Sequence, residues 1–464
     1  MFYKNTAVEL SINLGDPTGM IEYKLLDILL AILYFIVIMS WATWIRQKNI
    51  LHKPEYAYFS WALIAKLFGA IGVCMIYTLY YSGGDTTLYF ESSKVMLRLA
   101  EQDMGMFLDV FFGERNAVHY SYFTNDTGWP NYYHDGHSFF VVKLMTVVTL
   151  IGGQSFISTA LVLAFISFAG VWRLYQVLHE YYPDIRKHLA ISVLFIPSVV
   201  FWGSGILKDT ITFSCVGWYT YSFYYLMIRR RIRPSYVTQF ILSSVLLIAI
   251  KPYIFFAILP GSMIWFAGTF SSRIQSTGMR LLFTPSLAIA GLFLGYIILE
   301  NMQDQLGVYK FESILEKAVV SQRDQKQEYY GGNSFDIGDF DANIPSMLSV
   351  SHKGVFAGLF RPSLLDVRNI VMFMSALENT YLLILAFFLL LRLKFFGFFR
   401  FILKDPMLLF CVLFALFFAF SIGLSTSNFG TLVRLKIPCI PFFVSALFIL
   451  RYYYEKASGT KLGV

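Results

Sequence analysis

The residues of this 464-residue chain that could do chemistry are few and share one kind of setting. Asp85 stands in YYSGGDTTLYFE, after an apolar run and two glycines, with Glu91 a little further on. Lys208 and Asp209 open another apolar run in FWGSGILKDT, and Lys251 interrupts a third in IAIKPYIF. Arg361 and Arg368 lie in LFRPSLLDVRN, Glu378 is enclosed by the apolar stretch that follows, and Arg434 with Lys436 stands in SNFGTLVRLKIP. Ionisable groups in or beside such stretches are costly to keep there, which makes function the first explanation to test.

Gly83 and Gly84 let the backbone turn tightly before Asp85. A carboxylate held there at a lipid–water boundary is partly desolvated and more basic, as a general base for an acceptor hydroxyl must be. The plainer alternative makes Asp85 the N-cap of the amphipathic stretch TLYFESSKVMLRLAEQ. Arg361 and Arg434 carry the planar fork that grips phosphate or pyrophosphate at two points, and Lys208 and Lys251 add point charges. Here too a plainer alternative stands: Lys208 with Asp209 as a local ion pair, and Arg434 snorkelling or pairing with Glu378.

His119, His134 and His137, with Asp135, offer metal ligands, but their spacing fits neither HExxH nor a zinc finger. Asp336, Asp339 and Asp341 in DIGDFD lack the EF-hand order. Neither a P-loop nor a dinucleotide fingerprint occurs, so no nucleotide cofactor is expected; no residue is assigned to a metal, and a metal requirement stays open. Trp129, Tyr132 and Tyr133 could stack on sugar rings or pack their own loop. Cys74, Cys215, Cys411 and Cys439 lie in or beside apolar runs without CxxC spacing and read as small buried side chains.

The elements that must position these groups follow from composition. Hydrophobic residues make up 57% of the chain and charged ones 14%, against about 25% charged in a soluble domain. Mean hydropathy is +0.59. A water-soluble fold has nowhere to put so much apolar surface. Spans of about 20 apolar residues are read near 25–45, 58–80, 155–177, 189–204, 209–228, 236–250, 253–269, 281–300, 369–391, 407–424 and 437–452. Residues 138–153 are short, carry Lys143 and end in two glycines, and read as an interfacial or re-entrant helix. No cleavable leader is expected, because residues 1–24 are polar and the first apolar run has full spanning length.

The run Arg229 to Arg233 (RRRIR) marks a cytoplasmic loop, and the other basic loops then fall on the same side. The net charge of +8 is thus a statement about topology and not about nucleic acid. The N-terminus and two long segments, 81–137 and 301–366, are placed outside. The second holds a helix-like stretch, 308–328, and the Gly/Asp-rich YYGGNSFDIGDFDAN. The expectation is all-α: one integral membrane domain, 1–464, a polytopic bundle of about eleven spans with two long outer loops carrying short amphipathic helices.

Four motifs, GGDTTLYFE, PSVVFWGSGILKD, FRPSLLDVRN…SALEN and NFGTLVRLKIPCIPFF, resemble the bacterial multi-spanning sugar-transfer proteins. That group comprises GT-C-type glycosyltransferases and the polymerase-like proteins of O-antigen and exopolysaccharide synthesis. The likeness is carried by short motifs spread over the chain. It implies an acidic catalytic base in an outer loop, matched here by Asp85, and a polyprenyl-linked sugar donor held by basic residues, matched by Arg434 and Arg361. Departures are clear: Asp85 follows the second span, no second acid adjoins it, and no large soluble C-terminal domain is expected from this sequence. An O-antigen polymerase or ligase would instead rest on Arg361 and Arg434.

The expected function is therefore transfer of a lipid-linked sugar, or polymerisation of lipid-linked repeat units, at the periplasmic face of a bacterial inner membrane. The donor would be polyprenyl-linked, the acceptor a glycan or lipid-linked glycan, and the residues Asp85 as base with Glu91, Lys208, Asp209, Lys251, Arg361, Glu378 and Arg434 binding substrate. Two rivals are kept. A transporter or flippase would show broken helices with ionisable groups at the midplane. A non-catalytic membrane scaffold would tolerate loss of Asp85 and Arg434.

Overall fold

A computed structural model describes residues 23–271, 311–325 and 334–459, with single positions between 286 and 297. Among the described residues every regular element is helical, apart from one isolated bridge between Ser334 and Asn428. The first helices are α1 (Leu25–Ile50), α2 (Phe59–Met75), α3 (Asp85–Gln102), α4 (Met104–Phe112), α5 (Ala117–Tyr120) and α6 (Gly136–Ile151). There follow α7 (Phe156–Tyr181), α8 (Arg186–Leu194), α9 (Pro197–Trp202), α10 (Lys208–Phe223), α11 (Pro234–Ile250) and α12 (Pro252–Ser271). The remainder are α13 (Phe311–Gln325), α14 (Ile344–Ser349), α15 (Ser351–Phe360), α16 (Ile370–Lys404), α17 (Pro406–Ser425), α18 (Phe429–Leu435) and α19 (Ile440–Ser458).

Six of these are long and apolar enough to cross a membrane: α1, α2 with its flanking turns (Pro54–Tyr80), α7, α12, α16 and α17. A seventh candidate is the pair α18 and α19, bent by 67°. Helices of that length and composition make this a polytopic helical membrane protein. In the most apolar windows of α1 and α16 only 17% and 22% of residues are buried, against 72% in α7, so the first two turn broad apolar faces outward, as lipid allows.

The other spans read from sequence fare differently. The stretch 189–204 is broken between α8 and α9, at the residues before Pro197, where proline disfavours a helical predecessor. Residues 236–250 lie in α11, whose 17 residues are apolar but short. Residues 281–300 lie mostly outside the described residues, and 437–452 fall in the bent pair. The segment 138–153 is indeed a short apolar helix, α6.

Two compact units emerge. The first comprises residues up to 169 together with 200–211, and the second 170–199 with 212–464. In the first, α1 lies against α2 through rings such as Phe35 and Phe68, and α3 packs on α6, where Ser93 and Thr149 hydroxyls meet at 2.7 Å. The long segment 81–137 is thus largely folded into α3, α4 and α5. Gly83 and Gly84 have φ of 127° and 132°, angles that side chains rarely adopt, and this turn sets where α3 begins. The 200–207 segment lies hard against α2: a Cβ on Gly69 would stand 2.4 Å from the Val200 carbonyl oxygen. The buried Lys66 ammonium donates to the Gly203 carbonyl beside it.

In the second unit α17 is the hub, packed against α12, α15 and α19. Small residues make its contact with α15. A Cβ on Gly423 would stand 2.1 Å from the Gly354 carbonyl oxygen, and one on Gly358 would stand 2.3 Å from that of Ala419. Helix α13 is hung from the end of α17 by glutamines. Gln322 donates to the carbonyls of Gly423 (3.0 Å) and Thr426 (2.9 Å), while the Gln325 side-chain oxygen accepts from the backbone of Ser427 (2.9 Å) and Asn428 (3.1 Å).

Overpacking a tight helix crossing costs about 1–3 kcal/mol. Gly423→Ala and Gly358→Ala are therefore expected to lower the melting temperature of the detergent-solubilised protein by several degrees. Gly397→Ala, whose new Cβ meets only the Leu393 side chain at 4.0 Å, should leave it unchanged or raise it. Equal melting temperatures for all three would refute the close α15–α17 contact.

Candidate functional site

Asp85 is the first residue of α3, with Gly84 and not Asp85 at the N-cap. Its carboxylate is half-buried and accepts a hydrogen bond from the Tyr132 hydroxyl at 3.0 Å. The Tyr132 ring stacks on that of Tyr89, one turn into α3, at 4.5 Å and 25°. Tyr89 is buried and hydrogen-bonded to Ser138, near the start of α6. Ser138 in turn donates to the carboxylate of Asp135, the N-cap of α6, and accepts from the Lys208 ammonium at 2.6 Å. Lys208 Nζ stands 3.6 Å from Asp135 Oδ2. Asp209, 1% exposed, completes the group.

These contacts bring together residues from 85 to 209, all within the first unit. Its two compulsory features are local. The glycine turn fixes where α3 starts, and Asp135 capping α6 fixes where Ser138 emerges. Asp85, Asp135 and Asp209 all act on Tyr89, Lys208 pairs with Asp135, and the Arg115 guanidinium lies beside Gly136, so both signs of charge meet here. Burial, first, and the fields of Asp85, Asp135 and Asp209 raise the Tyr89 hydroxyl well above its ordinary pKa, against the pull of Ser138, so it stays protonated. At Asp135 burial pushes the carboxyl up, but the Ser138 hydroxyl, the Lys208 ammonium and His137 outweigh it and hold the group below its usual value. Carboxylates beside stacked tyrosines can accept sugar hydroxyls and cover a ring face; they can also take a proton from a hydroxyl.

Other sequence candidates sit elsewhere. Glu91 makes a surface pair with Lys94 at 3.9 Å on the same helix. His119 bonds the Glu114 carbonyl, and His134 packs on Tyr120. Tyr133 is buried beside Phe123 and Phe139, whereas Trp129 is exposed. Among the described residues no three His, Cys, Asp or Glu side chains converge as metal ligands.

In the second unit the candidates gather at the break between α18 and α19. Lys436, 1% exposed, donates to the Asn379 side-chain oxygen at 2.5 Å and to the Arg361 carbonyl at 3.2 Å. Asn379 also donates to the Pro362 carbonyl, at 2.9 Å. Glu378, in the first turns of α16, accepts from the Ser198 backbone (2.9 Å) and hydroxyl (2.6 Å), with Lys436 in electrostatic reach. Arg361 pairs with Asp366 at 3.6 Å and lies over the rings of Phe335 and Phe429. Arg434 is half-buried in the last turn of α18. Lys251 is buried as the single residue between α11 and α12.

Of the sequence candidates Asp85, Glu91, Lys208, Asp209, Lys251, Arg361, Glu378 and Arg434, the structure brings Asp85, Lys208 and Asp209 together about Tyr89 and Ser138. Sequence reading passed over Tyr89, Ser138 and Asn379, because an isolated Tyr, Ser or Asn in an apolar or aromatic stretch gives no spacing signal. Asp135 and Tyr132 were noticed only as metal and stacking candidates. No protein-family model, curated protein or solved structure matches the chain.

A carboxyl whose pKa is depressed by folding stabilises above its unfolded pKa, about 3.9 for Asp, and loses that contribution as pH falls through the folded value. Thermal unfolding between neutral pH and pH values near 3 should therefore show wild type losing stability on acidification through Asp135. Asp135→Asn is expected to be less stable at neutral pH and to lose less on acidification; parallel curves would count against the Asp135–Ser138–Lys208 linkage.

Proposed function

We propose that this protein is a membrane transferase of sugars carried on polyprenyl phosphate or pyrophosphate, adding them singly or as repeat units to a glycan or lipid-linked acceptor. The observation that carries this reading is the Asp85 carboxylate, half-buried at the start of α3 and oriented by Tyr132 beside the Tyr89 ring. In this reading the acceptor hydroxyl lies against Asp85, which takes its proton as the oxygen attacks the anomeric carbon. The bond from that carbon to the phosphate oxygen breaks, and the lipid phosphate leaves with the electron pair. Its charge needs cations, and stabilising it is the main electrostatic help to such a step. Lys208, in the same unit as Asp85, is the candidate in this cluster; the forked guanidinium groups of Arg361 and Arg434 belong to the second unit.

The carboxylates of Asp85, Asp135 and Asp209 about Tyr89 can accept hydroxyl groups, which supports a reading in which the sugar or the acceptor meets them. The same proposal includes about eleven spans, with Asp85 on the periplasmic side of a bacterial inner membrane, on the strength of the basic-loop pattern. A second reading, a transporter or flippase of lipid-linked sugars, is favoured by one observation: the 67° bend between α18 and α19 with buried Lys436 at the break.

Loss of a general base typically costs about 10²–10⁴-fold in rate. Asp85→Asn should abolish detectable glycan product and make a polyprenyl-linked sugar accumulate at normal protein abundance, with Tyr132→Phe giving a milder form of the same defect. Lys436→Met is the contrasting variant, since a transporter would lose movement of the lipid-linked sugar across proteoliposomes while Asp85→Asn left it intact. Wild-type lipid and glycan profiles for Asp85→Asn would remove the transferase reading.

A further inference from the structure

The run RRRIR is read above only as a marker of topology, yet in the second unit it is a built surface. Ends of four helices meet there: α7 at Tyr181, α10 with its π-helical extension Tyr224–Ile228, α11 from Pro234 and α12 at Phe270. The loop between them is fixed. The Arg229 N–H donates to the Tyr224 carbonyl at 2.9 Å and that of Arg231 to the Tyr225 carbonyl at 2.8 Å. Arg230 between them holds φ of 54°, a conformation that a non-glycine residue keeps only where its surroundings impose it.

The carboxylate beside this loop is already used. Glu180 takes the Arg229 guanidinium at 2.6 Å through one oxygen and the Tyr225 hydroxyl at 2.7 Å through the other. Arg230 lies 4.1 Å over the Phe270 ring and Arg231 6.0 Å from that of Tyr225, contacts that orient a guanidinium without neutralising it. Among the described residues Arg230, Arg231 and Arg233 form no ion pair, and all three are exposed. Ile232 stands among them at 84% exposed, an apolar side chain directed away from the protein. Tyr225 and Tyr236, stacked at 4.8 Å, flank the loop, and tyrosines concentrate where a membrane meets water.

We propose that Arg230, Arg231 and Arg233 form a binding surface for the headgroups of anionic phospholipids, with Ile232 seated among the acyl chains' upper carbons. Guanidinium forks suit phosphodiester oxygens, and a basic cluster directly beside a span is drawn to an anionic leaflet. The positive-inside rule accounts for the charge of this loop. It does not account for two guanidinium groups oriented on rings, with a third two residues on, none of them in an ion pair among the described residues, around an exposed isoleucine on a fixed backbone.

The test uses the full-length protein in nanodiscs of phosphatidylcholine with a minority of phosphatidylglycerol, reading by native mass spectrometry which lipid stays bound. Wild type should be enriched in phosphatidylglycerol, and a triple variant Arg230→Gln, Arg231→Gln, Arg233→Gln should lose most of that enrichment. Equal enrichment in both, or none in wild type, overturns the proposal. Should the glutamine variant fail to insert, the triple Arg→Lys variant decides. It keeps the loop positive for insertion while removing the forks, so reduced enrichment supports the proposal and wild-type enrichment refutes it.

Discussion

The contact on which the candidate site depends is the Lys208 ammonium held by Ser138 and Asp135. It ties the first residue of α10 to the start of α6, elements 70 residues apart in sequence. Through Ser138 it reaches Tyr89, and through the Tyr89–Tyr132 stack it reaches Asp85. The Lys208 side chain keeps 19% of its surface exposed and that of Asp135 keeps 51%, so water shares in satisfying the pair, and what the contact adds is a fixed meeting point for two helix starts.

Close backbone approach makes that arrangement possible. The segment leading to Lys208 runs against α2 where Gly69 and Gly205 leave room, and Lys66 anchors it by the Gly203 carbonyl. In the second unit the same device, Gly354 and Gly358 against α17, holds the hub, and the buried Lys436 is satisfied by Asn379 and the Arg361 carbonyl. Apolar helices in lipid gain little from hydrophobic burial against each other. Small residues and shared polar groups must supply the specificity instead.

Several features were legible in the chain because they rest on local rules. The glycine turn before Asp85 follows from backbone sterics, and the apolar runs at α1, α2, α7, α12, α16 and α17 follow from length and composition alone. The break before Pro197 is equally local, yet the stretch 189–204 reads as continuous because hydropathy ignores a proline's effect on its predecessor. The fate of Lys208 was not legible. Its neighbour Asp209 is the natural partner by sequence, and no spacing signals that Asp135 and Ser138 also come to it.

By itself, then, the sequence determined that this is a helical membrane protein, where its principal apolar helices lie, and which charged residues have no ordinary reason to be there. Those facts need only transfer energies and neighbouring residues. Tertiary structure alone decided that Asp85, Tyr132, Tyr89, Ser138, Asp135 and Lys208 form one cluster and that Glu378, Asn379 and Lys436 belong to another. The reason is that a hydrogen bond or an aromatic stack between distant helices depends on crossing geometry, and no spacing along the chain encodes which helix starts will meet.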